Sequence, residues 1–547
     1  MTMPSVSLAA RVRSLLNEAT HAFQGRPGAR TLLTVAAQLD GPLRVAIAGR
    51  VKAGKSTLLN ALIGTRVAAT DAGECTRIVT AYAHANAPSA TAFPRGGQPH
   101  GLALTDHNGQ WTLGLDGLRA EDVDRVEVGL PSDWLTRMTL IDTPGMGSLT
   151  EAAGRRTEEF LDETGHVDAV LYLLRHLHSS DVDFLDAFHD DSAGEANPVN
   201  AIGVLSRADE LGGGGPDALD NAAKVATEYR ADSRLRGLVH TVLPVAGLLA
   251  EAGAALGAAE LADLAALADA GPAATTPLLL SATRFVAPTG SVPVPPEARQ
   301  RLLGLLGMYG VRLALDMIRD GTRTVDQLRA ALRARSGLTE LRGLLLSQFA
   351  QRRDVFKADG ALRAIESVVR LDPIPAGPRL VQGVERIRAG AHELTEIRLL
   401  TELRMGAVTA PAEQLAAMER LLGGQGTTMA ARLGLPPDEP ADMAGVVIEG
   451  LHRNWQRVAQ DRLTDPALAR AARVLQRTCE GLAAAALPPR QTPSPPREPV
   501  REPVQQPPRQ PSHEPSQQPS QEPRWPTADE ATRRLVPPPR DQGPAGP

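Results

Sequence analysis

Cysteine is nearly absent: there are two in 547 residues, Cys75 and Cys479. Two thiols cannot build a disulfide framework or a four-ligand zinc site, so the composition is that of a reducing compartment. Excess positive charge is also absent. The formal net charge is −5, which argues against a nucleic-acid binder. No stretch approaches the roughly 18 apolar residues of a membrane span. The nearest, Thr241 to Leu256, is interrupted by Pro244 and Glu251. The first twenty residues lack the charged start and long apolar core of a secretory signal. The expectation is a cytoplasmic protein whose membrane contact, if any, is peripheral. Lysine is scarce too. Of 58 basic residues only Lys52, Lys55, Lys224 and Lys357 are lysine. In a sequence biased so strongly to arginine, a lysine is informative where it survives.

The length allows two to four domains at roughly 100–200 residues each. In the first forty residues Leu8, Val12, Leu15, Leu16, Ala19 and Phe23 recur at helical spacing, and Leu32, Ala36 and Leu39 resume it after Gly25–Gly28. From Leu43 short apolar strands alternate with helical stretches. The strand candidates are Leu43–Ala48, Arg77–Ala83, Arg125–Val128, Met138–Ile141, Ala169–Leu174, Asn200–Leu205 and Val239–Val245. Helical stretches include Lys55–Ile63, Glu151–Glu163 and Ser180–Phe188. The alternation predicts an α/β domain, a mostly parallel sheet with helices on both faces.

Beyond about residue 290 only helical periods remain, through Leu338, Leu341, Leu345, Phe349, Phe356, Leu362, Ile365 and Val369, and again through Ile387, Leu394, Ile397 and Leu400. Asp465-Pro466 reads as a helix start. Leu468, Ala472, Leu475, Cys479 and Leu482 then form the seam of a bundle or coiled coil. Cys479 is thus expected to be a small core residue. From Pro488 onward the chain carries 19 of its 44 prolines and hardly any aliphatic residue, so it reads as a disordered tail. The expected layout is N-terminal helices at 1–40, a nucleotide-binding domain at 41–290, a helical part at 291–487 and the tail at 488–547.

The chemistry concentrates in three places. Gly49-Arg50-Val51-Lys52-Ala53-Gly54-Lys55-Ser56 matches G-x-x-x-x-G-K-[ST], between a strand and a helix beginning at Thr57. Glycines let backbone N–H groups curl round a β-phosphate, and the helix N-terminus adds partial positive charge. The backbone from Gly49 through Lys52, Ala53 and Gly54 to Thr57 is therefore expected to hold phosphates. Lys55 should reach the β- and γ-phosphates, and the Ser56 hydroxyl should ligate Mg²⁺. Next, Ile141-Asp142-Thr143-Pro144-Gly145 ends a buried strand. Asp142 can hold Mg²⁺ through water, and the Gly145 N–H can sense the γ-phosphate. Finally, Ser206-Arg207-Ala208-Asp209 follows another strand where GTPases carry Asn/Thr-Lys-x-Asp. Asp209 keeps the carboxylate that accepts the guanine N1 and N2 hydrogens. Arg207 can lie over the base as a lysine stem does.

Of Thr70, Thr76 and Thr80, Thr76 is the expected switch threonine on Mg²⁺, because it ends a polar loop before a strand. Met146 stands where many GTPases carry a water-orienting glutamine, so that role must fall elsewhere. His176 and His178 have no third ligand in view and read as surface residues.

Together these motifs resemble the dynamin superfamily in its bacterial branch. The likeness rests on Lys52 placed three before Lys55, the run Gly73-Glu74-Cys75-Thr76-Arg77-Ile78-Val79-Thr80, the Asp-Thr-Pro-Gly, and Ser179-Ser180-Asp181-Val182-Asp183-Phe184-Leu185. It extends into Ser336–Lys357 and Gly423–Leu435, and is strongest to the actinobacterial dynamin-like proteins, the IniC-like and Streptomyces DynB-like groups. The resemblance implies a GTPase head with a helical neck and trunk, GTP and Mg²⁺ as ligands, and self-association through the heads. It also implies a second, membrane-anchored dynamin-like partner, peripheral contact with the inner face of the cell membrane, and a link to cell-division proteins at division or sporulation septa. Eukaryotic dynamins have a catalytic Gln-Ser where this chain has Val51-Lys52, so that mechanism does not transfer. The loops at Asp372–Pro378 and Leu421–Pro437 are candidates for a trunk tip. Two other readings remain: a nucleotide-binding regulatory subunit with little turnover, motivated by Ser206-Arg207 and Met146, and a soluble regulatory GTPase, for example in ribosome assembly.

Overall fold

The computed structural model describes residues 7–69, 78–107, 110–144, 167–190, 198–288, 292–437 and 441–486. Glu151–Glu163, Cys75 and the tail lie outside them.

Among the described residues twelve strands form two sheets: β1 (Leu43–Gly49), β2 (Arg66–Ala69), β3 (Val79–His84), β4 (Ser89–Pro94), β5 (His100–Gly101), β6 (Leu104–His107), β7 (Gln110–Leu113), β8 (Val123–Leu130), β9 (Met138–Asp142), β10 (Ala169–Leu174), β11 (Ala201–Ser206) and β12 (Val242–Val245). The main sheet has the order β12-β11-β10-β1-β9-β3-β8-β4-β5, and β2-β7-β6 form a small second sheet. β12 through β9 run parallel, and β3 joins β9 antiparallel. All six residues of β10 and of β11 are buried. A strand covered on both faces must be apolar throughout, and that is why these strands read as unbroken hydrophobic runs.

One sheet face packs under the helices Ala218–Ala231, Gly247–Ala255, Ala258–Asp269, Pro296–Arg319 and Val325–Arg335. Val294, Leu302, Leu306, Val311, Leu315, Leu328 and Leu332 are buried there with Tyr172, Leu205 and Val242. The layer thus runs well past the expected boundary at 290. The other face meets helix Lys55–Ile63, and its core continues into Leu341, Phe349, Phe356, Leu400, Trp455 and Leu475. The two N-terminal helices, Leu8–Ala22 and Pro27–Gln38, pack on Arg353–Leu371 and Gly377–Gly390 through Val12, Leu16, Phe23, Leu32, Leu362 and Ile365. The remaining described residues up to 486 are mostly helical. Asp465 caps the last helix, its Oδ1 accepting from Ala467 N at 2.8 Å and Leu468 N at 3.2 Å.

Of the two trunk-tip candidates, Leu421–Pro437 folds inward. Gln348 sits on a widened helical turn (Leu345–Phe349), and its Nε2 donates to Gly423 O at 3.3 Å. Arg352 Nη2 donates to the same carbonyl at 2.7 Å. Buried backbone carbonyls need such donors, and here two side chains some seventy residues upstream supply them. The turn after Arg353–Leu371 is different, since Leu371 is 80% exposed.

A buried ion pair fixes that helix to the sheet. Lys357 Nζ lies 2.7 Å from Asp168 Oδ2, with both side chains almost fully enclosed. The same oxygen accepts from Arg44 N at 2.7 Å. Removing one partner of a buried pair strands the other charge. We expect Lys357→Met to destabilise the chain by about 3–5 kcal/mol in denaturant unfolding. Adding Asp168→Asn should recover part of that loss, and no recovery would mean that the pair is not the cause.

Candidate functional site

β1 lies between β9 and β10, and ligands of open α/β sheets bind beyond the carboxyl ends of strands at such a switch point. The turn leaving β1 needs its glycines. A Cβ on Gly49 (φ 144°) would lie 2.7 Å from Leu173 O, and Gly54 (φ 94°) is left-handed. Lys52 also has positive φ (66°), which turns successive N–H groups into an anion-binding concavity. Lys55 opens the following helix, Lys55–Ile63. Its Nζ lies back along the loop, donating to Gly49 O at 3.1 Å and Arg50 O at 3.4 Å. Burial pushes this ammonium below its ordinary range, and Asp142 opposes the shift.

Asp142 ends β9, and its Oδ2 accepts from Ser56 Oγ at 3.1 Å. Its Oδ1 is shut off from water and has no hydrogen-bond partner among the described residues. Burial raises this carboxyl to about 6, against the pull of Lys55 and the Ser56 hydroxyl. An orphaned carboxylate oxygen beside a serine hydroxyl is a donor set that fits a hard cation such as Mg²⁺. Thr143 Oγ1 donates to Ile47 O at 3.0 Å and ties this strand end to β1. Thr76 and Gly145, and Met146, lie outside the described residues.

Beside the loop opens a cleft of about 100 Å³, lined among others by Ala53, Thr57, Leu173, Arg207, Asp209 and Leu248. Asp209 is 4% exposed. Burial pushes its carboxyl up to about 6, and Arg207 works in the opposite direction. Arg207 is left-handed (φ 53°) and donates to Glu210 Oε1 at 2.7 Å. Arg175 donates to the other Glu210 oxygen at 2.9 Å. Ser206 lines the same cleft, and its hydroxyl donates to Leu174 O at 3.1 Å and braces the neighbouring strand end. Reading by motif missed Arg175, Glu210 and Leu248. Glu210 adjoins Asp209 in sequence, but Arg175 and Leu248 are brought in only by sheet order.

The sequence comparisons with known proteins agree with this geometry. The family model of 50S ribosome-binding GTPases matches residues 44–199. The isoniazid-induced protein IniC of Mycobacterium tuberculosis (strain ATCC 25618 / H37Rv) is 37% identical over 489 residues, spanning 88% of this chain and 99% of that protein. The chain is a bacterial dynamin-like GTPase of the IniC family. A bacterial dynamin-like protein of Nostoc punctiforme (strain ATCC 29133 / PCC 73102) is 29% identical over 147 residues, 25% of this chain and 21% of its own. A solved structure of an oligomerised bacterial dynamin pair, described as sensing and tethering membranes, aligns over 89% of this chain and 76% of its own, at 13% identity and a TM-score of 0.26.

For this IniC-family GTPase the cysteine in the last helix is a core residue. Cys479 is fully buried, and burial raises its thiol to about 11. A thiol needs its thiolate to react. Cys479 should therefore stay unmodified by iodoacetamide at pH 8 in the folded chain and react only on unfolding, as peptide mass spectrometry would read.

Proposed function

We propose that this chain hydrolyses GTP and uses the cycle to associate through its heads at the inner face of the cell membrane, together with a second, membrane-anchored dynamin-like protein. The observation that carries the reading is that the phosphate loop, Asp142 and Asp209 converge at one end of the sheet, while the two N-terminal helices share a core with Arg353–Leu371 and Gly377–Gly390, far along the chain. In this reading the head runs from 41 to about 335, and the remaining helices form neck and trunk.

The chemistry is in-line attack of water on the γ-phosphate. Backbone N–H groups of Gly49–Thr57 and the Lys55 ammonium take up charge that develops on the phosphate oxygens. Ser56 and Asp142, with Thr76 from the switch, would hold Mg²⁺. Bound there, Mg²⁺ supplies charge neutralisation at the phosphates. Asp209 selects guanine, and Arg207, steadied by Glu210, covers the base. Self-association would act on hydrolysis through the switch threonine, Thr76. The exposed turn at Leu371 is the membrane-facing tip of this scheme, and septum stabilisation is its cellular role.

The test is phosphate release from GTP and ATP by the purified chain across protein concentration, with liposome flotation in parallel. GTP-selective turnover that rises with concentration is expected. GTP binding without turnover would favour the regulatory-subunit reading. Absence of lipid binding and assembly, alone and with the partner, would remove the membrane role.

A further inference from the structure

Helix Pro296–Arg319 is broken in its middle. Gly307 has φ 67° and ψ 174°, a conformation that side-chain-bearing residues essentially do not adopt. Such backbone persists only where its surroundings hold it there, and it gathers at ligand clamps. The surroundings here are those of the base cleft. A Cβ on Gly307 would lie 3.3 Å from Leu248 Cδ1 and 3.5 Å from Asp209 Oδ2. The break therefore lays bare backbone against the carboxylate at the end of the cleft.

A second tie comes five residues later. Arg312 donates through Nη1 to Gly214 O and through Nη2 to Leu279 O at 2.5 Å. Gly214 (φ 67°) closes the turn that carries Asp209, its N–H donating to Glu210 O and Leu211 O at 3.2 Å. A Cβ there would be 3.2 Å from Asp209 O and 3.7 Å from Tyr309 N. The broken helix thus meets this turn at the Asp209 carboxylate through its break and at Gly214 through its second half.

We propose that Gly307 and Arg312 are positioning residues for guanine selectivity: the broken helix holds the Ser206–Gly214 turn so that the Asp209 carboxylate meets the base edge. The proposal rests on the reading of Asp209 as the guanine acceptor. It also ties the base to the last helix of the head, because Val325–Arg335 packs on the helix that supplies Leu248.

The experiment uses the full chain and measures affinities for GDP, inosine diphosphate and ADP by competition against a fluorescent GDP analogue. The variants are Gly307→Ala and Arg312→Gln. The control is Gly321→Ala, just past the end of the same helix, where φ is 105° and an added Cβ meets nothing within 4 Å. We expect both variants to lose about tenfold in GDP affinity, the equivalent of one weakened charge-assisted hydrogen bond. ADP affinity should hold, so the GDP-to-ADP ratio falls, and the GDP-to-inosine diphosphate ratio falls with it. The control should keep both ratios. If Gly307→Ala fails to fold, Arg312→Gln alone decides. A guanine preference that the folded variants keep would overturn the proposal alone. Equal affinity of the unaltered chain for GDP and ADP would overturn the reading of Asp209 and the proposal with it.

Discussion

Replacing Lys55 by alanine should lower GTP turnover by about three orders of magnitude or more while leaving the fold intact. The size follows from what the ammonium does. A single pre-positioned donor to a developing oxyanion contributes about 10²–10³ in rate, and Lys55 brings a full charge. The fold should survive because, among the described residues, the ammonium donates to loop carbonyls, Gly49 O and Arg50 O, rather than to the core. Lys55→Arg should not restore activity. A planar guanidinium is no substitute for a compact ammonium at the end of a flexible stem, and the glycine loop is shaped too tightly to make room for it. Lys52 is the internal comparison. Its side chain is exposed, so Lys52→Gly, which suits the positive φ, should fold and turn over far more GTP than Lys55→Ala. Phosphate release by the three variants at equal concentration, with a melting curve for each, decides the matter. Turnover by Lys55→Ala within tenfold of the unaltered chain would sink the assignment.

The parts of this molecule that sequence made legible are those whose physics is local. Lys55–Ile63 and Ala169–Leu174 are read to the residue, because a P-loop helix start and a strand buried on both faces each leave a contiguous signature. The N-terminal helices are legible from Leu8 to Phe23 because one face is buried at helical spacing. β2 and β4 to β7 are not. They are two to six residues long, half polar, and interrupted by Gly96-Gly97, and only pairing across the insertion makes them strands. The clasp of Gln348 and Arg352 on Gly423 is likewise invisible, since its members are more than seventy residues apart. In the site, Lys55, Ser56, Asp142 and Asp209 follow from motif spacing, whereas Gly307 looks like an ordinary helical glycine until the fold brings it beside Asp209. The inward fold of Leu421–Pro437 has the same origin: a glycine-rich stretch looks like an exposed loop when its distant donors are unknown.

Asp209→Asn should change which base the chain accepts. The carboxylate offers two acceptors to the two hydrogens on guanine N1 and N2. Each charge-assisted bond contributes about 1.5–3 kcal/mol, so losing one of them and the charge behind the other weakens GTP binding by about 10–10³-fold. An asparagine carries one acceptor and a donor NH₂ group. Xanthine has a carbonyl where guanine has its amino group, so xanthosine triphosphate should bind the variant better than GTP does. The same residue sets a pH dependence. Burial raises the Asp209 carboxyl to about 6. As pH falls through that value the carboxyl takes up a proton and can no longer accept both guanine hydrogens. GDP affinity should therefore drop between pH 7 and pH 5, more steeply than ADP affinity. Guanine donors favour the ionised form, so binding in that range should release protons. In Asp209→Asn this base-dependent pH step should vanish. Fluorescence titrations with GTP, xanthosine triphosphate, GDP and ADP at pH 5, 6 and 7 test the size, the base switch and the pH step together. A variant that keeps GTP over xanthosine triphosphate would show that the base is recognised by another group, and Arg207 with Glu210 would then be the first to replace.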